Sequence, residues 1–271
     1  MSKTFIDSHC HIHSVGPASE KHTSAKWEEL GLSPEVVLKR AIEAGVTRLI
    51  CVGTDLVDST KAVEFAQVHD ACYATIGIHP HEAKRFVNDK AALVQFKELV
   101  KESKVVAIGE CGLDYYYSHS EPRDQETILR FQLDLACEFN LPLSFHVREA
   151  YDNFWPIFDS YGGSLSGVLH SFTDSAETLN NALERGLFIG VNGIATFPSA
   201  PALSEMIKAI PSHHLLLETD SPYLTPAPYR GTINEPKQIV RIAEYLAELR
   251  QTTLDHLADL TSANAKQLFG L

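Results

Sequence analysis

The sequence predicts an α/β protein folded as a (β/α)8 TIM barrel, and three observations support this prediction. Apolar, β-branched segments alternate with amphipathic helical segments eight times along the chain, which is typical of parallel strands joined by helices. The length of 271 residues suits one such barrel. The alternative is an open doubly wound sheet, but no glycine-rich phosphate-binding sequence follows the first strand.

The elements follow one another in a regular order. The predicted strands are residues 4–12, 48–54, 71–79, 105–111, 141–147, 167–172, 187–193 and 215–218. The first predicted helix opens at Ser33-Pro34, a helix-capping residue and a proline suited to the first turn, and stops at Gly45. The later predicted helices are residues 58–68, 91–101, 123–139, 151–161, 176–184, 202–209, 236–250 and 254–269. No internal repeat or linker-like stretch interrupts them, so we expect one domain over residues 1–271.

Composition excludes several classes of protein. No apolar run approaches the roughly 18 residues of a membrane span. The first residues show no basic region followed by an apolar stretch, so we expect no signal peptide. Five cysteines without paired spacing predict reduced thiols in a cytoplasmic protein, and four of them lie in apolar strand-like runs as small buried side chains: Cys10, Cys51, Cys72 and Cys111. The net charge of −12 argues against wrapping of duplex DNA. We expect neither a membrane nor an obligate protein partner.

The segment from Asp7 to His13, with the sequence DSHCHIH, is the most distinctive of the chain. Side chains alternate along a strand, so His9 and His11 share one face and could bind one metal ion. A His-x-His pair alone is also compatible with a solvated strand edge. The metal interpretation gains weight because later strand ends carry further ligand-type residues.

In a TIM barrel, the carboxyl ends of the strands meet at one mouth. Histidines and carboxylates recur at these ends, namely His9, His11, His79, Glu110, His146, His170, Glu218 and Asp220. Four of these histidines with two of the carboxylates already exceed the needs of one ion. Two divalent ions about 3.5–4 Å apart, bridged by a carboxylate, are the economical arrangement, and such sites catalyse hydrolysis. The mixed ligands leave the metal open among Mg, Mn and Zn.

Several motifs resemble the TatD family of metal-dependent deoxyribonucleases, in that family's order and over almost the whole chain. These are DSHCHIH, VGTD (52–55), GIHPH (77–81), IGECGLDYY (108–116), FHVR (145–148), LHSFT (169–173) and ETDSPYL (218–224). The resemblance implies a (β/α)8 barrel that hydrolyses phosphodiester bonds of DNA, as a 3′–5′ exonuclease on single-stranded or frayed ends.

The resemblance also implies roles for individual residues. His9 and His11 would hold one metal with Asp220, and Glu110 would bridge to a second metal held by His146 and His170. Asp220 would in addition orient or deprotonate the attacking water. His79 would contact the scissile phosphate or act as an acid, and Arg148 is a candidate phosphate contact. Residues expected to support these or to fix loops are Asp114, Glu218, Arg230, Asn234 and Glu235.

Two features depart from the family pattern. His13 stands where the family often has Asp, and we expect it to line the mouth in contact with solvent. Residues 14–32 form a long excursion after the first strand that could change how DNA enters. Near the mouth, aromatic residues could stack on bases or simply pack at the rim: Tyr115, Tyr116, Tyr117, Phe172 and Tyr223.

Two other functions stay open at this point. The first is metal-dependent hydrolysis of an ester, an amide or an aminoacyl-tRNA bond, because barrels of this kind support many reactions. The second is a metal-binding scaffold without catalytic activity, which an intact ligand set argues against.

Overall fold

Eight parallel strands form one sheet in which neighbours in sequence are neighbours in space. The computed structural model describes residues 4–14, 30–117, 119–197 and 201–271. The strands are β1 (Phe5–Cys10), β2 (Val46–Val52), β3 (Cys72–Ile76), β4 (Val105–Asp114), β5 (Leu143–Arg148), β6 (Gly167–Leu169), β7 (Phe188–Val191) and β8 (Leu215–Leu217). This order confirms the predicted barrel.

The barrel is closed where the segment that follows β8 meets the end of β1. Ser221 pairs with Cys10 as a parallel bridge. The amide of His11 donates to the Ser221 carbonyl at 2.7 Å, and the amide of Asp220 donates to the His9 carbonyl at 2.8 Å. The bonds that join the last strand to the first therefore involve residues at or beside the predicted site.

Helices connect the strands and cover the barrel. They are α1 (Pro34–Glu43), α2 (Leu56–Val68), α3 (Ala83–Phe86), α4 (Lys90–Leu99), α5 (Pro122–Phe139), α6 (Tyr151–Asp159), α7 (Ala176–Glu184), α8 (Pro201–Ala209), α9 (Ile239–Leu249) and α10 (Leu254–Phe269). Ser33 caps α1 as predicted, because its hydroxyl accepts a hydrogen bond from the Val36 amide. Within the described ranges, no helix combines the length and the apolar character needed to cross a bilayer.

The core has two parts. The larger cluster fills the space between strands and helices and includes Cys10, Cys51, Cys72 and Cys111, which confirms their prediction as small buried side chains. The smaller cluster joins strand residues such as Ile6 and Ile50 to Leu268 and Phe269 of α10. The C-terminal helix thus contributes directly to the packing of the strands.

The differences from the predicted elements are local. Helix α2 begins at Leu56, earlier than expected, because the Asp55 carboxylate caps it by accepting from the Asp58 amide. The short helix α3 and the 3-10 turn Pro80–Glu82 were not predicted, since such short elements lack a readable hydrophobic period. Of the excursion 14–32, residues 15–29 lie outside the described residues.

Candidate active site

His9 and His11 meet at the mouth of the barrel, at the end of β1. Their Nε2 atoms lie 3.2 Å apart. The Nδ1 atom of His11 is 2.8 Å from the carbonyl oxygen of Val52 on β2, and Nδ1 of His9 is 3.4 Å from the Ser144 hydroxyl on β5. These contacts fix both rings with one nitrogen turned towards the mouth.

Asp220 approaches these two rings from the segment after β8. Its Oδ1 atom is 3.3 Å from Nε2 of His11 and 3.8 Å from Nε2 of His9. The residue has a φ of 54°, an uncommon value for a non-glycine residue. Buried Asp7 ties the same segment to β1, because Thr219 donates to its carboxylate from the amide at 2.9 Å and from the hydroxyl at 2.6 Å.

Glu110 lies between two groups of histidines. Its Oε2 atom faces the first group, 3.6 Å from His9 Nε2 and 3.8 Å from His11 Nε2. Its Oε1 atom faces the second group, at 2.9 Å from both His146 Nδ1 and His170 Nε2. One carboxylate therefore contacts both sets of rings.

The close approach of β4 and β5 makes this contact possible. Gly112 pairs in register with His146. A Cβ atom at Gly112 would lie 1.8 Å from the His146 carbonyl oxygen, and the residue has a φ of 151°. Only glycine allows the backbones to come this close, two residues beyond Glu110.

His146 and His170 also face carboxylates on the side away from Glu110. Nε2 of His146 is 2.9 Å from Oδ2 of Asp114, and Nδ1 of His170 is 3.6 Å from Oε1 of Glu218. Both carboxyl groups are buried. A carboxylate behind a ligating imidazole fixes its orientation and increases its basicity.

His79 and Arg148 line the same cleft, whose volume is about 1020 Å³. Nε2 of His79 lies 3.6 Å from Oε1 of Glu110. Arg148 is exposed, at the end of β5 and two residues beyond His146. Both residues predicted to contact substrate thus lie within reach of a molecule bound at the histidine cluster.

The charges of the cluster stabilise one another. Burial opposes the charge of Glu110, but the imidazoles of His170 and His79 outweigh it and hold the pKa of this carboxyl well below its usual range. Burial likewise disfavours the protonated form of His11, yet the Asp220 carboxylate raises its pKa to about 9. For His79, burial dominates and keeps its pKa well below the ordinary value.

The pKa values of His9 and His170 are shifted in opposite directions. Burial and the nearby His170 lower the pKa of His9. Burial opposes a charge on His170 as well, but Glu110, with Glu218, raises its pKa well above the usual value. The carboxylates therefore favour the protonated form of His170, whereas burial favours the neutral forms of His9 and His79.

Three groups among the described residues could hold a metal ion, each with its ligand atoms within 4.8 Å of one another. They are His9 with His11 and Asp220, His9 with Glu110 and His170, and His79 with Glu110 and His146. Every residue predicted from the sequence as a metal ligand belongs to at least one group. His79, predicted to contact phosphate, is also close enough to share an ion with Glu110.

His13 does not line the mouth, and that prediction was wrong. Its side chain is fully buried, with Nε2 3.3 Å from Oδ1 of Asp58. The strand ends at Cys10 and the chain turns into the 3-10 turn Ile12–Ser14, so the alternation of a strand no longer sets the direction of this side chain.

The supporting residues named from the sequence fix the segment after β8. The Asn234 side chain donates to the carbonyls of Thr219 at 2.9 Å and Tyr223 at 2.6 Å. Glu235 forms an ion pair with Lys237 at 2.7 Å. The guanidinium of Arg230 stacks 3.9 Å from the Phe197 ring centroid.

Three residues of this site were not singled out in the sequence: Asp7, Asp58 and Ser144. Asp7 and Ser144 lie within the quoted strands, and their partners Thr219 and His9 are distant in sequence, so no local pattern marks them. Asp58 had a readable signal, because Asp55-x-x-Asp58 is a helix-start pattern that also turns a carboxylate towards the mouth.

Comparison with known proteins agrees with this barrel and its cluster of histidines and carboxylates. The model of the family described as TatD related DNase matches residues 6–270. The metal-dependent hydrolase YabD of Bacillus subtilis, an uncharacterized protein, is 38% identical over 251 residues, which cover 92% of this chain and 98% of that protein. The 3′-5′ ssDNA/RNA exonuclease TatD of Pantoea ananatis is 38% identical over 244 residues, covering 88% and 93%.

A solved structure agrees with these sequence matches. YjjV, a TatD homologue from Escherichia coli K12, superposes with a TM-score of 0.85 at 30% identity, covering 98% of both chains. Barrel and cluster define a metal-dependent hydrolase of the TIM-barrel type. The chain belongs to the TatD family of these hydrolases.

Proposed function

We propose that this protein hydrolyses phosphodiester bonds of single-stranded DNA, shortening exposed ends in the 3′ to 5′ direction with two bound divalent metal ions. The observation that carries the proposal is the position of Glu110 between two groups of imidazoles, one facing each carboxylate oxygen. Relatives named as 3′-5′ ssDNA/RNA exonucleases support the substrate and the polarity.

The donor set fits two divalent ions. His9, His11 and Asp220 would hold one ion. His146 and His170, whose Nδ1 and Nε2 atoms lie 3.4 Å apart and each 2.9 Å from Glu110 Oε1, would hold the other, and Glu110 would contact both. Imidazole with carboxylate suits Zn or Mn, and carboxylate suits Mg. Bound there, the ions would act as Lewis acids on the phosphodiester and acidify water at neutral pH.

The chain's own residues would supply the remaining steps. The Asp220 carboxylate would orient the attacking water and accept its proton, since it lies at the mouth beside His11. His79, which burial keeps neutral, would donate a hydrogen bond to the scissile phosphate. Arg148, on the wall of the same cleft, would contact a phosphate oxygen.

We expect the activity to reside in one domain spanning residues 1–271 and to operate in the cytoplasm. The five cysteines are all unpaired, and four of them are buried. Unpaired thiols are usual in reducing compartments.

Degradation of an end-labelled single-stranded oligonucleotide tests the proposal directly. Metal-stripped protein would be assayed with Mg²⁺, Mn²⁺ or Zn²⁺, beside Asp220→Ala and the matched control Asp259→Ala, an exposed aspartate of α10. We expect metal-dependent, stepwise shortening from the 3′ end, at least about 1000-fold slower in Asp220→Ala and unchanged in the control. Folded, metal-loaded protein that shortens no strand would contradict the proposal and favour an ester or amide substrate.

A further inference from the structure

The segment after β4 presents two tyrosines on a rigid turn. The amides of Tyr116 and Tyr117 both donate to Oδ1 of buried Asp114, each at 3.0 Å. Their rings meet edge to face with centroids 4.7 Å apart, and 51% and 43% of the two residues remain exposed. Two aromatic faces are therefore held in place but left in contact with solvent.

Arg148 lies across these rings. Its guanidinium carbon is 3.8 Å from the Tyr116 ring centroid and 5.0 Å from that of Tyr117. Strand pairing places Asp114 opposite Arg148, and the Tyr115 amide donates to the Arg148 carbonyl at 3.0 Å. None of the described residues gives the guanidinium a carboxylate partner, so its donors are available to an anion.

The two other candidates for base stacking after β4 and β6 are used in packing. The Tyr115 hydroxyl donates to Glu126 at 3.2 Å, and Phe172 is buried in the larger core cluster. Tyr116 and Tyr117 differ because Asp114 anchors their amides while about half of each residue stays exposed. The Tyr117 ring also lies beside the rings of His81 and His119, with centroids 5.4 and 5.7 Å away. Tyr117 and Arg148 line the same cleft as His79, Glu110 and His146.

We propose that Arg148, Tyr116 and Tyr117 form a subsite for one unpaired nucleotide next to the phosphodiester that is cleaved. The inference rests on the proposed nuclease function and deepens it. The guanidinium would bind a phosphate oxygen, and a tyrosine ring would stack on the base of the same nucleotide.

A nucleotide fits this arrangement better than an isolated phosphate does. Stacking of a guanidinium on aromatic rings limits its freedom, so less entropy is lost when it binds phosphate. A base inside a duplex already stacks on its neighbours on both faces, so stacking on a side chain favours the unpaired bases of single-stranded ends. The acidic chain, with its net charge of −12, would then hold substrate through one defined contact and not through a broad basic surface.

The test compares intact and abasic single-stranded oligonucleotides. Two modified strands would carry a tetrahydrofuran abasic residue, one on the 3′ side and one on the 5′ side of the first bond to be cleaved. The variants are Tyr116→Ala, Tyr117→Ala, Tyr117→Phe and Arg148→Ala. Tyr229→Ala is the matched control. Tyr229 is 47% exposed, and it is not one of the described residues that line the cleft.

We expect Tyr117→Ala or Tyr116→Ala to raise KM for the intact strand about 5- to 50-fold with little change in kcat. For one of the two abasic strands KM should not increase, because the strand lacks the base that would stack on the tyrosine ring. Tyr117→Phe should keep KM near that of the wild type. Arg148→Ala should reduce the slope of log KM against log salt by about 0.7, the value for one single-strand phosphate contact.

If the tyrosine variants raised KM equally for the intact strand and for both abasic strands, the proposed subsite would be wrong. It would also be wrong if these variants were indistinguishable from the wild type. A wild-type protein that shortens no strand at all would instead overturn the proposed function, and the subsite with it. Thermal melting of each variant separates loss of folding from loss of binding.

Discussion

His9 and His11, on one side of Glu110, are oriented by neutral groups, whereas His146 and His170, on the other side, face carboxylates. Behind the first pair lie the Val52 carbonyl and the Ser144 hydroxyl. Behind the second pair lie the carboxylates of Asp114 and Glu218. The rings of the first pair are therefore held by neutral groups, and the rings of the second pair by charged ones.

The comparison shows how a buried site of mixed charge is balanced. Besides the shared Glu110, the first pair faces the negative charge of Asp220 at the mouth, where that carboxylate also faces the cleft. The second pair obtains additional negative charge from behind, so its imidazoles stay basic even when the mouth is occupied by substrate. We expect metal binding by the second pair to depend more strongly on the residues behind it than metal binding by the first pair does.

The largest effect should follow from Glu110→Gln, because Glu110 is shared by both halves. We expect turnover to fall at least about 1000-fold and metal-stripped protein to take up fewer ions. Oligonucleotide degradation and metal content after dialysis measure the two effects. Glu248→Gln, an exposed residue of α9, is the matched control. Full turnover with unchanged metal content would show that the halves do not share a ligand.

A smaller effect should follow from Glu218→Gln, which acts on the second pair only. The amide keeps an acceptor for the Ser171 amide, now 2.6 Å from Glu218 Oε1, but removes the negative charge that faces His170. We expect metal affinity or activity to fall about 10- to 100-fold. Calorimetric titration of metal-stripped protein with Mn²⁺ measures the metal affinity. An unchanged affinity would show that the carboxylate behind His170 does not distinguish the second pair from the first.

The smallest effect should follow from Ser144→Ala, the corresponding change behind the first pair. The hydroxyl lies 3.4 Å from His9 Nδ1, a long contact, and it carries no charge. We expect metal affinity to change by less than about fivefold in the same titration. A loss as large as that of Glu218→Gln would mean that charge behind the ring is not what separates the two pairs.

Sequence reasoning reached the fold and the ligand-type residues because both depend on local pattern. Alternating segments predicted the barrel, and the position of His79, Glu110, His146 and His170 at strand ends placed them at one mouth. The same reasoning failed for His13, because it assumed that strand geometry continues beyond Cys10. A single turn after a strand is enough to redirect a side chain from the mouth into the interior.

By itself, the sequence determined that six of the eight strand ends would bring histidines and carboxylates to one rim, since parallel strands in a barrel all end on the same side. It also indicated the family, through motifs that run from the first strand to the last. These conclusions need only residue type and spacing.

Only the tertiary structure decided which atoms meet. The division of Glu110 between two pairs of rings, the carboxylates behind one pair, and the burial of His13 against Asp58 all join residues far apart in the chain or redirected by a turn. The tertiary structure also distinguishes Tyr116 and Tyr117, which stay exposed beside Arg148, from Tyr115 and Phe172, which pack in or against the core. The physical reason is that packing and burial, unlike strand periodicity, depend on residues that no local window contains.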